Sequence, residues 1–491
     1  MKKKTETETQ KTIVGKINPD VLSFTVGKDP VLDLALAEWD CLGTAAHVTM
    51  LSKIPAKPDT PAIMSPEERD NVIAELAKIV NDVRTGKFTI TEADQDVHLA
   101  VERRLTEKLG DLGKKVHTGR SRNDQVAVDI RLHIRHELLG LMGEAVALAE
   151  SLVKFGKTHE MYPMVGRTHL QPAMPSSVGL WATGYAEAVL DDLVMLKASY
   201  TYNDRCPLGS AAGYGVPLPI NRQFTSDLLG FSAPHHNVFH ASNTRGKNEA
   251  ILLSACGQVM LTLSRLAEDL ILFSMPEFGY FVLPEELCTG SSIMPQKHNP
   301  DVLELIRAKT AVVLGFGTAA NTLLKAMPGG YNRDLQDSKE LYMEGLRVTR
   351  SSLRIMKLMA DSLEVNPYRL IEGLTPGMFA TDIALKLVAE GMPFREAYQQ
   401  MRTHFPVGQD CPIGTTAFTD CAMASVPEED RVEMKNNIRR QADTAIDERT
   451  HLGGTNGLNF KAYNDCITTE RDWISNCMSQ SETVLDKLLR I

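Results

Sequence analysis

A loop in the second half of the sequence places a hydroxyl, a cation and an amide directly before a predicted helix. It runs from residue 289 to 300 and contains Ser291, Lys297 and Asn299. Backbone N–H groups at a helix start, with a lysine and an asparagine beside them, suit a carboxylate ligand. The serine hydroxyl could transfer a proton. The same pattern also fits a surface loop whose hydroxyls cap the helix.

A second loop, residues 166–175, offers a histidine for acid–base chemistry. It contains Thr168 and His169. Because the ordinary pKa of histidine lies near neutral pH, His169 could serve as a general acid or base. A lone histidine is more often a surface residue or a hydrogen-bonded core residue, so this pattern alone leaves both interpretations open.

Two further loops carry side chains that could bind carboxylates. The first, residues 117–125, contains Ser121, Arg122 and Asn123. An arginine fork can hold a carboxylate through two parallel hydrogen bonds, although such residues also serve as turn and cap residues. The second, residues 330–340, adds three polar candidates, which are Tyr331, Gln336 and Lys339. A first helical turn with exposed charges is the alternative there.

Long amphipathic segments separate these loops. Apolar side chains recur every three or four residues over four long stretches, which predicts helices at 129–155, 249–273, 301–327 and 337–363. Shorter helices are predicted at 66–76, with Ser65 as N-cap, and at 98–109. Such lengths are typical of a bundle, and helices that are apolar on several faces favour an oligomer. We therefore expect a mainly α fold with a mixed N-terminal domain (1–118), a central long-helix bundle (119–367) and a small helical C-terminal domain (368–491).

Composition narrows the class of protein. The 491 residues carry a net charge of −9, which argues against a general binder of nucleic acid or of anionic membranes. The hydrophobic fraction of 43% and charged fraction of 23% are those of a soluble globular protein. No C-x-x-C pair signals a zinc or redox motif, and the polar N-terminus lacks an apolar signal segment. We expect a cytoplasmic protein without nucleic-acid or membrane partners.

Taken together, the four loops resemble the signature strings of the fumarase/aspartase superfamily. Residues 290–300 read GSSIMPQKHNP, and residues 168–171 read THLQ. The strings HTGRSRNDQ (117–125) and YNRDLQDSK (331–339) are similar to those of the argininosuccinate lyase family. The resemblance extends from about residue 20 to the C-terminus. It implies a three-domain helical fold and a homotetramer with a shared central bundle, in which each active site is built from segments of different chains.

The resemblance also implies a reaction, the reversible cleavage of argininosuccinate to arginine and fumarate by a carbon–nitrogen (amidine) lyase, with no metal or organic cofactor. Four residues would be catalytic: His169, Ser291, Lys297 and Glu304. Ser291 is favoured as the base that removes the carbon-bound proton and His169 as the acid, but the reverse assignment also fits the sequence. Lys297 and Asn299 would stabilise charge on the substrate carboxylate, and Glu304 would orient the histidine.

Substrate-binding residues carry over from the same strings. They are Ser121, Arg122, Asn123, Thr168, Asn299, Tyr331, Gln336 and Lys339. The chain departs from the family near its start, where the F-N-x-S stretch reads FTVGKDP and the usual binding serine is missing. Thr25, Asp29 and Asp33 are candidate replacements. A second departure is Arg167, which stands where a tyrosine is frequent.

Two alternative functions remain at this stage. One is a related lyase that releases fumarate from another N-substituted aspartate. The other is a crystallin-like structural relative with little activity, which the retention of His169, Ser291 and Lys297 argues against.

Overall fold

The computed structural model describes residues 10–12, 15–405 and 428–490, and in these ranges the chain is mainly helical, as expected. Six helices, α1 to α6, come first: Pro19–Val26, Asp29–Leu32, Ala37–Leu51, Pro66–Arg84, Val97–Leu109 and Asp111–Lys115. The central region holds α7 to α13: Arg122–Thr158, Val178–Asn203, Arg222–Leu228, Val238–Asn243, Lys247–Ser274, Asp301–Leu324 and Ser338–Ser362. Helices α14 to α18 follow: Pro367–Glu372, Ala380–Ala389, Phe394–His404, Glu428–Asp447 and Phe460–Leu489.

Strands are short and pair only two by two in the described part of the chain. Strands β1 to β10 are Gln10–Thr12, Gly15–Ile17, Pro163–Thr168, Gln171–Ser177, Arg205–Cys206, Ala233–Pro234, Phe281–Val282, Thr289–Gly290, His298–Asn299 and Glu364–Val365. Two of these pairs matter for function. Strands β3 and β4 form an antiparallel hairpin, and β8 and β9 close the loop that precedes α12.

Five long helices (α7, α8, α11, α12 and α13) form the central bundle. Helix α8 runs antiparallel to α7, because Arg131 near the start of α7 donates to the carbonyl of Tyr202 at the end of α8 over 2.9 Å. Helix α12 is antiparallel to α11, since Thr310 donates to the carbonyl of Met260 over 3.0 Å and the earlier Arg307 donates to the later Glu268. Helices α7, α11 and α13 therefore begin at one end of the bundle. The predicted long-helix bundle is confirmed.

Local chemistry explains where the key helices begin. Ser65 accepts from the N–H of Glu68, whose carboxylate accepts from the N–H of Ser65, so the predicted cap is a complete capping box. Ser121 and Asp124 form the same box at the start of α7. These boxes satisfy N–H groups that a helix start leaves without intrahelical partners.

The last helix returns along the central bundle. Arg471 of α18 donates to Glu150 of α7 over 2.7 Å, and Arg490 donates to Asp70 of α4 over 2.9 Å. The predicted C-terminal part thus contacts both other parts of the chain. Residues 406–427 lie outside the described ranges, and the three domain boundaries stay a prediction.

One described helix, α11, is long and apolar enough to cross a membrane by length and composition alone. Within its most apolar window, 61% of the residues are buried inside the protein. Its inward face includes Leu252, Cys256, Leu263 and Leu270. This is the burial expected of the central helix of a bundle.

Candidate active site

The candidate residues fall into two groups at opposite ends of the bundle. Helix α7 begins at Arg122 and ends at Thr158, and its 37 residues span about 55 Å. Strand β3 begins five residues after that helix, so Thr168 and His169 lie beyond its far end. We call the two groups the Arg122 end and the His169 end.

Four helix termini assemble the Arg122 end. Asn248 at the start of α11 donates to Asn203 at the end of α8 over 3.2 Å. Ser338 at the start of α13 donates to Glu249 over 3.1 Å. The segment that carries Tyr331, Gln336 and Lys339 therefore lies beside the start of α7. The structure thus brings together two of the four loops singled out in the sequence.

Asp124 ties the start of α7 to the loop at residues 207–215. One carboxylate oxygen accepts from the N–H of Ser121 over 2.9 Å, and the other accepts from Gly209 and Ala211, each over 2.9 Å. Burial raises the pKa of Asp124 to about 6, although these hydrogen bonds oppose the rise. Asp124 belongs to the HTGRSRNDQ string, but only the structure shows that it connects the start of α7 to this loop.

Arg122 is held by Asp96. Its Nε donates to the Asp96 carboxylate over 2.7 Å, and that carboxylate also caps α5 by accepting from the N–H of Leu99 over 3.0 Å. A substrate carboxylate would have to compete with Asp96 for the guanidinium. The geometry therefore favours a structural role for Arg122, which ties the start of α7 to Asp96 at the start of α5. Asp96 was missed in the sequence, although an aspartate before an apolar helix is a recognisable N-cap.

Lys339 lies between two carboxylates from the N-terminal region. Its Nζ is 2.7 Å from Asp29 and 2.6 Å from Asp33, and the side chain is only 3% exposed. Burial raises the pKa of Asp29 while the Lys339 charge lowers it, and the net shift is upward. Two carboxylates contact this one ammonium, and the nearby Arg245 charge also lowers the pKa of Asp29. The carboxylates are hydrogen-bond acceptors that could hold a cationic part of a substrate.

The N-terminal segment is also tied to Gln336. The Gln336 amide donates to the carbonyl of Thr25 over 2.9 Å, while the Thr25 hydroxyl donates to the carbonyl of Val21 within α1. Of the three candidates for the missing serine, Asp29 and Asp33 are thus the ones whose side chains contact Lys339. Tyr331 packs over Arg245, whose guanidinium carbon lies 5.6 Å from the ring centroid.

The His169 end begins with the β3–β4 hairpin. Thr168 pairs with Gln171, so His169 and Leu170 are the two central residues of the turn. Their φ values are +55° and +60°. A two-residue hairpin turn with positive φ at both positions normally carries Asn-Gly. Non-glycine residues in that region cost on the order of 1–3 kcal/mol each, and such strain concentrates at functional sites.

The loop before α12 arranges the serine hydroxyl. Thr289 pairs with Asn299 and Gly290 with His298, so residues 291–297 form a closed loop. The Ser291 Oγ accepts from the N–H of Met294 over 3.1 Å and from that of Ile293 over 3.4 Å. Two N–H groups aimed at one oxygen stabilise negative charge on it. This arrangement supplies the alkoxide stabilisation that a serine base needs.

Lys297 and Glu304 are exposed at the same end. Neither side chain forms a hydrogen bond or an ion pair within the described part of this chain. Glu304 lies in the first turn of α12 and makes no contact of that kind with His169. The predicted orientation of the histidine by Glu304 is therefore not formed inside one chain.

A buried cluster of Asp40, His98 and Asp129 lies beneath the Arg122 end, and its ligand-type atoms lie within 4.8 Å of one another, close enough to suit a metal ion. The His98 Nδ1 is 2.7 Å from Asp40 and 3.6 Å from Asp129. Burial lowers the pKa of His98, but the carboxylates of Asp40, Asp96 and Asp33 together outweigh it and the net shift is upward. Burial and Asp40 raise the pKa of Asp129. The carboxylates thus favour the charged form of His98, while burial beside Asp40 favours the neutral form of Asp129.

Known proteins similar to this chain agree on one family. The family model described as Lyase matches residues 40–315. Argininosuccinate lyases from Parabacteroides distasonis and Sorangium cellulosum are 41% and 42% identical, over 81% and 79% of this chain and 87% and 88% of their own lengths. The one from Thermotoga neapolitana is 39% identical over 78% of this chain and 95% of its own.

Solved structures agree on the fold. An EDDS lyase in complex with formate superposes with a TM-score of 0.75 at 23% identity, covering 96% of this chain and 95% of that one. The class II fumarase of Schistosoma mansoni gives 0.66 at 16%, covering 89% and 99%. The sequence relatives and the fold together mean that this chain belongs to the argininosuccinate lyase family of the fumarase/aspartase superfamily.

Proposed function

We propose that this chain performs the reaction of its family in arginine biosynthesis, the reversible β-elimination of argininosuccinate to L-arginine and fumarate. Sequence identity of about 40% over four fifths of the chain supports the reaction. The hydroxyl of Ser291, which faces two backbone N–H donors, is the observation that carries the mechanism. We further propose that the protein works in the cytoplasm and that the reaction requires neither a metal nor an organic cofactor.

Ser291 removes the proton from the carbon next to a substrate carboxylate. The acidity of that carbon is low, so the charge that accumulates on the carboxylate must be stabilised as it forms. Lys297 and Asn299, at the mouth of the same loop, supply a cation and an amide donor. Neither group is occupied by an ion pair in the described part of the chain, which leaves both available to a ligand.

His169 protonates the nitrogen that leaves as the guanidino group of arginine. Its ring is exposed at the tip of a hairpin and can reach a ligand outside its own chain. A carboxylate such as Glu304 beside the imidazole would favour its charged, proton-donating form. Thr168, the residue before it, would bind a carboxylate of the fumarate half.

The Arg122 end holds the arginine half of the substrate. The carboxylates of Asp29 and Asp33, which hold Lys339, are the acceptors for the guanidinium or the ammonium group. Five further residues line this end and complete the proposed binding set with Thr168, Asn299 and Lys339: Ser121, Arg122, Asn123, Tyr331 and Gln336. Arg122 acts mainly by fixing Asp96 and the start of α7.

Complete active sites require more than one chain. The Arg122 and His169 ends are about 55 Å apart along α7, much farther than a small substrate extends. The bundle also exposes apolar side chains that a partner could bury, including Val194 of α8 and Leu305 and Val312 of α12, which are 67%, 55% and 47% exposed. We propose a homotetramer in which the His169 end of one subunit meets the Arg122 end of another.

The test is direct. Purified protein is mixed with argininosuccinate without added metal, and fumarate is followed by its ultraviolet absorbance. Release of fumarate together with arginine supports the proposal. Absence of product at high enzyme concentration contradicts it. Release of fumarate only from other N-substituted aspartates in the same assay would identify a sister lyase instead.

A further inference from the structure

The hairpin turn that carries His169 is held in an unfavourable conformation by a side chain outside the turn. His169 and Leu170 both have positive φ, and neither is the asparagine or glycine that such a turn prefers. The side chains of His169 and Leu170 are both exposed. A group that fixes its backbone would therefore also fix the direction of the imidazole.

Arg167 makes that contact. Its Nη1 donates to the carbonyl of Leu170 over 3.2 Å, which closes the turn from the preceding strand. Its Nη2 donates to the hydroxyl of Tyr280 over 3.2 Å, and the guanidinium carbon lies 4.8 Å above the ring centroid of Phe278. Tyr280 is only 2% exposed and belongs to the core, so it is a rigid anchor.

The planar fork of arginine suits this bridge because its two Nη groups can point to different acceptors at once. A lysine presents all its donors from a single nitrogen and lacks this planar two-point fork. The buried Nε of Arg167 has no hydrogen-bond partner among the described residues, so the bridge depends on the two Nη groups and on the Phe278 ring. A residue kept only for packing over Phe278 would not need either donor.

We infer that Arg167 is a positioning residue, which holds the turn of His169 so that the imidazole is presented to the substrate in one direction. The inference depends on the proposed role of His169 as the proton donor. Arg167 itself touches the Leu170 carbonyl and Tyr280 and takes no part in proton transfer.

The main variant is Arg167→Met, which keeps an aliphatic stem over Phe278 and removes both donors. We expect kcat to fall about tenfold to a hundredfold, since small misplacements of a catalytic group have effects of this size. KM should stay nearly unchanged and the oligomer should persist. Arg167→Lys keeps a donor but not the planar fork, so it should restore part of the loss.

Arg369→Met is the matched control. Arg369 donates to the carbonyls of Pro276 and Glu277 over 2.6 and 3.2 Å, so it fixes the segment before Tyr280 without bonding to the hairpin. Its kcat should remain near that of the parent protein. If Arg167→Met fails to assemble, Tyr280→Phe is the alternative. It removes only the hydrogen bond between Arg167 and the Tyr280 hydroxyl, and it should also lower kcat.

A double-mutant cycle with His169→Asn separates positioning from general stabilisation. If Arg167 acts through His169, adding Arg167→Met to His169→Asn should slow the residual reaction no further. Equal losses in both backgrounds, or an unchanged kcat in Arg167→Met, would overturn the inference. Near-normal turnover of His169→Asn would overturn the role of His169 and this inference with it, whereas loss in His169→Asn with full activity in Arg167→Met would overturn this inference alone.

Discussion

The ammonium group of Lys339 lies 2.6 Å from the carboxylate of Asp33, a residue 306 positions earlier in the chain. Asp29 lies on the other side of the same ammonium at 2.7 Å. Asp29 lies in the N-terminal stretch where the family string is altered, and Asp33 lies three residues after it. These contacts therefore connect the N-terminal region, where the chain departs from its family, to Lys339 of the YNRDLQDSK string.

Lys339→Met should destabilise the protein, because it leaves two neighbouring carboxylates buried without their cation. We expect a loss of about 3–5 kcal/mol of unfolding free energy, measured by urea denaturation at fixed protomer concentration. Lys28→Met is the control. Lys28 forms an exposed pair with Glu340, so its removal should cost less than about 1 kcal/mol. Similar losses in both variants would mean that the burial of Lys339 with its two carboxylates contributes little to the free energy of unfolding.

Ser291→Ala should lower turnover by about two to four orders of magnitude, the usual contribution of a proton-transfer group. Ser292→Ala is the matched control, since it removes the neighbouring hydroxyl from the same loop and leaves the backbone N–H groups in place. Turnover is followed by fumarate absorbance, with light scattering to verify the oligomer. Equal losses in the two variants would assign the effect to the loop rather than to the Ser291 hydroxyl.

Two inactive variants should complement each other if each site is built from different chains. His169→Asn and Arg122→Met alter opposite ends of the bundle, so a mixed oligomer can contain sites with both residues intact. Mixing, mild denaturation and reassembly should give activity well above that of either variant alone. Each variant taken through the same cycle by itself is the control. Reassembled mixed oligomers that stay inactive would argue for a site within one chain.

The contribution of His133 to the stability of the protein should fall as pH falls from about 6.5 to 4, whereas carboxyls with a raised pKa, such as Asp124, contribute in the opposite direction. Burial lowers the pKa of His133 to about 4, so the unfolded chain binds a proton in this range that the folded chain does not. The cost reaches about 3 kcal/mol at the acid end of this range. His133→Gln should remove this contribution, so acidification from pH 6.5 to 4 should lower its melting temperature less, or raise it more, than that of the parent protein. The same change at the exposed His136, on the same helix, should leave the pH dependence of the melting temperature as in the parent protein.

Short-range patterns predicted much of the fold. The four long helices begin and end within a few residues of the expected positions, apart from α7, which begins seven residues earlier than the predicted 129. Ser65 caps α4 as expected, and Glu68 completes the box. These features depend on side chains a few residues apart, which the sequence displays directly. Helix α8 was not predicted, because its start lies in an uncharged run without clear periodicity.

By itself, the sequence determined the family, the loops that carry Ser291 and His169, and the helices between them, because caps, turns and apolar repeats are local. Only the tertiary structure decided which charges meet, such as Arg122 with Asp96 and Lys339 with Asp29 and Asp33. It also decided that the two groups of site residues lie at opposite ends of α7, about 55 Å apart. Contacts between residues hundreds of positions apart depend on how the helices pack, and no local pattern records that packing.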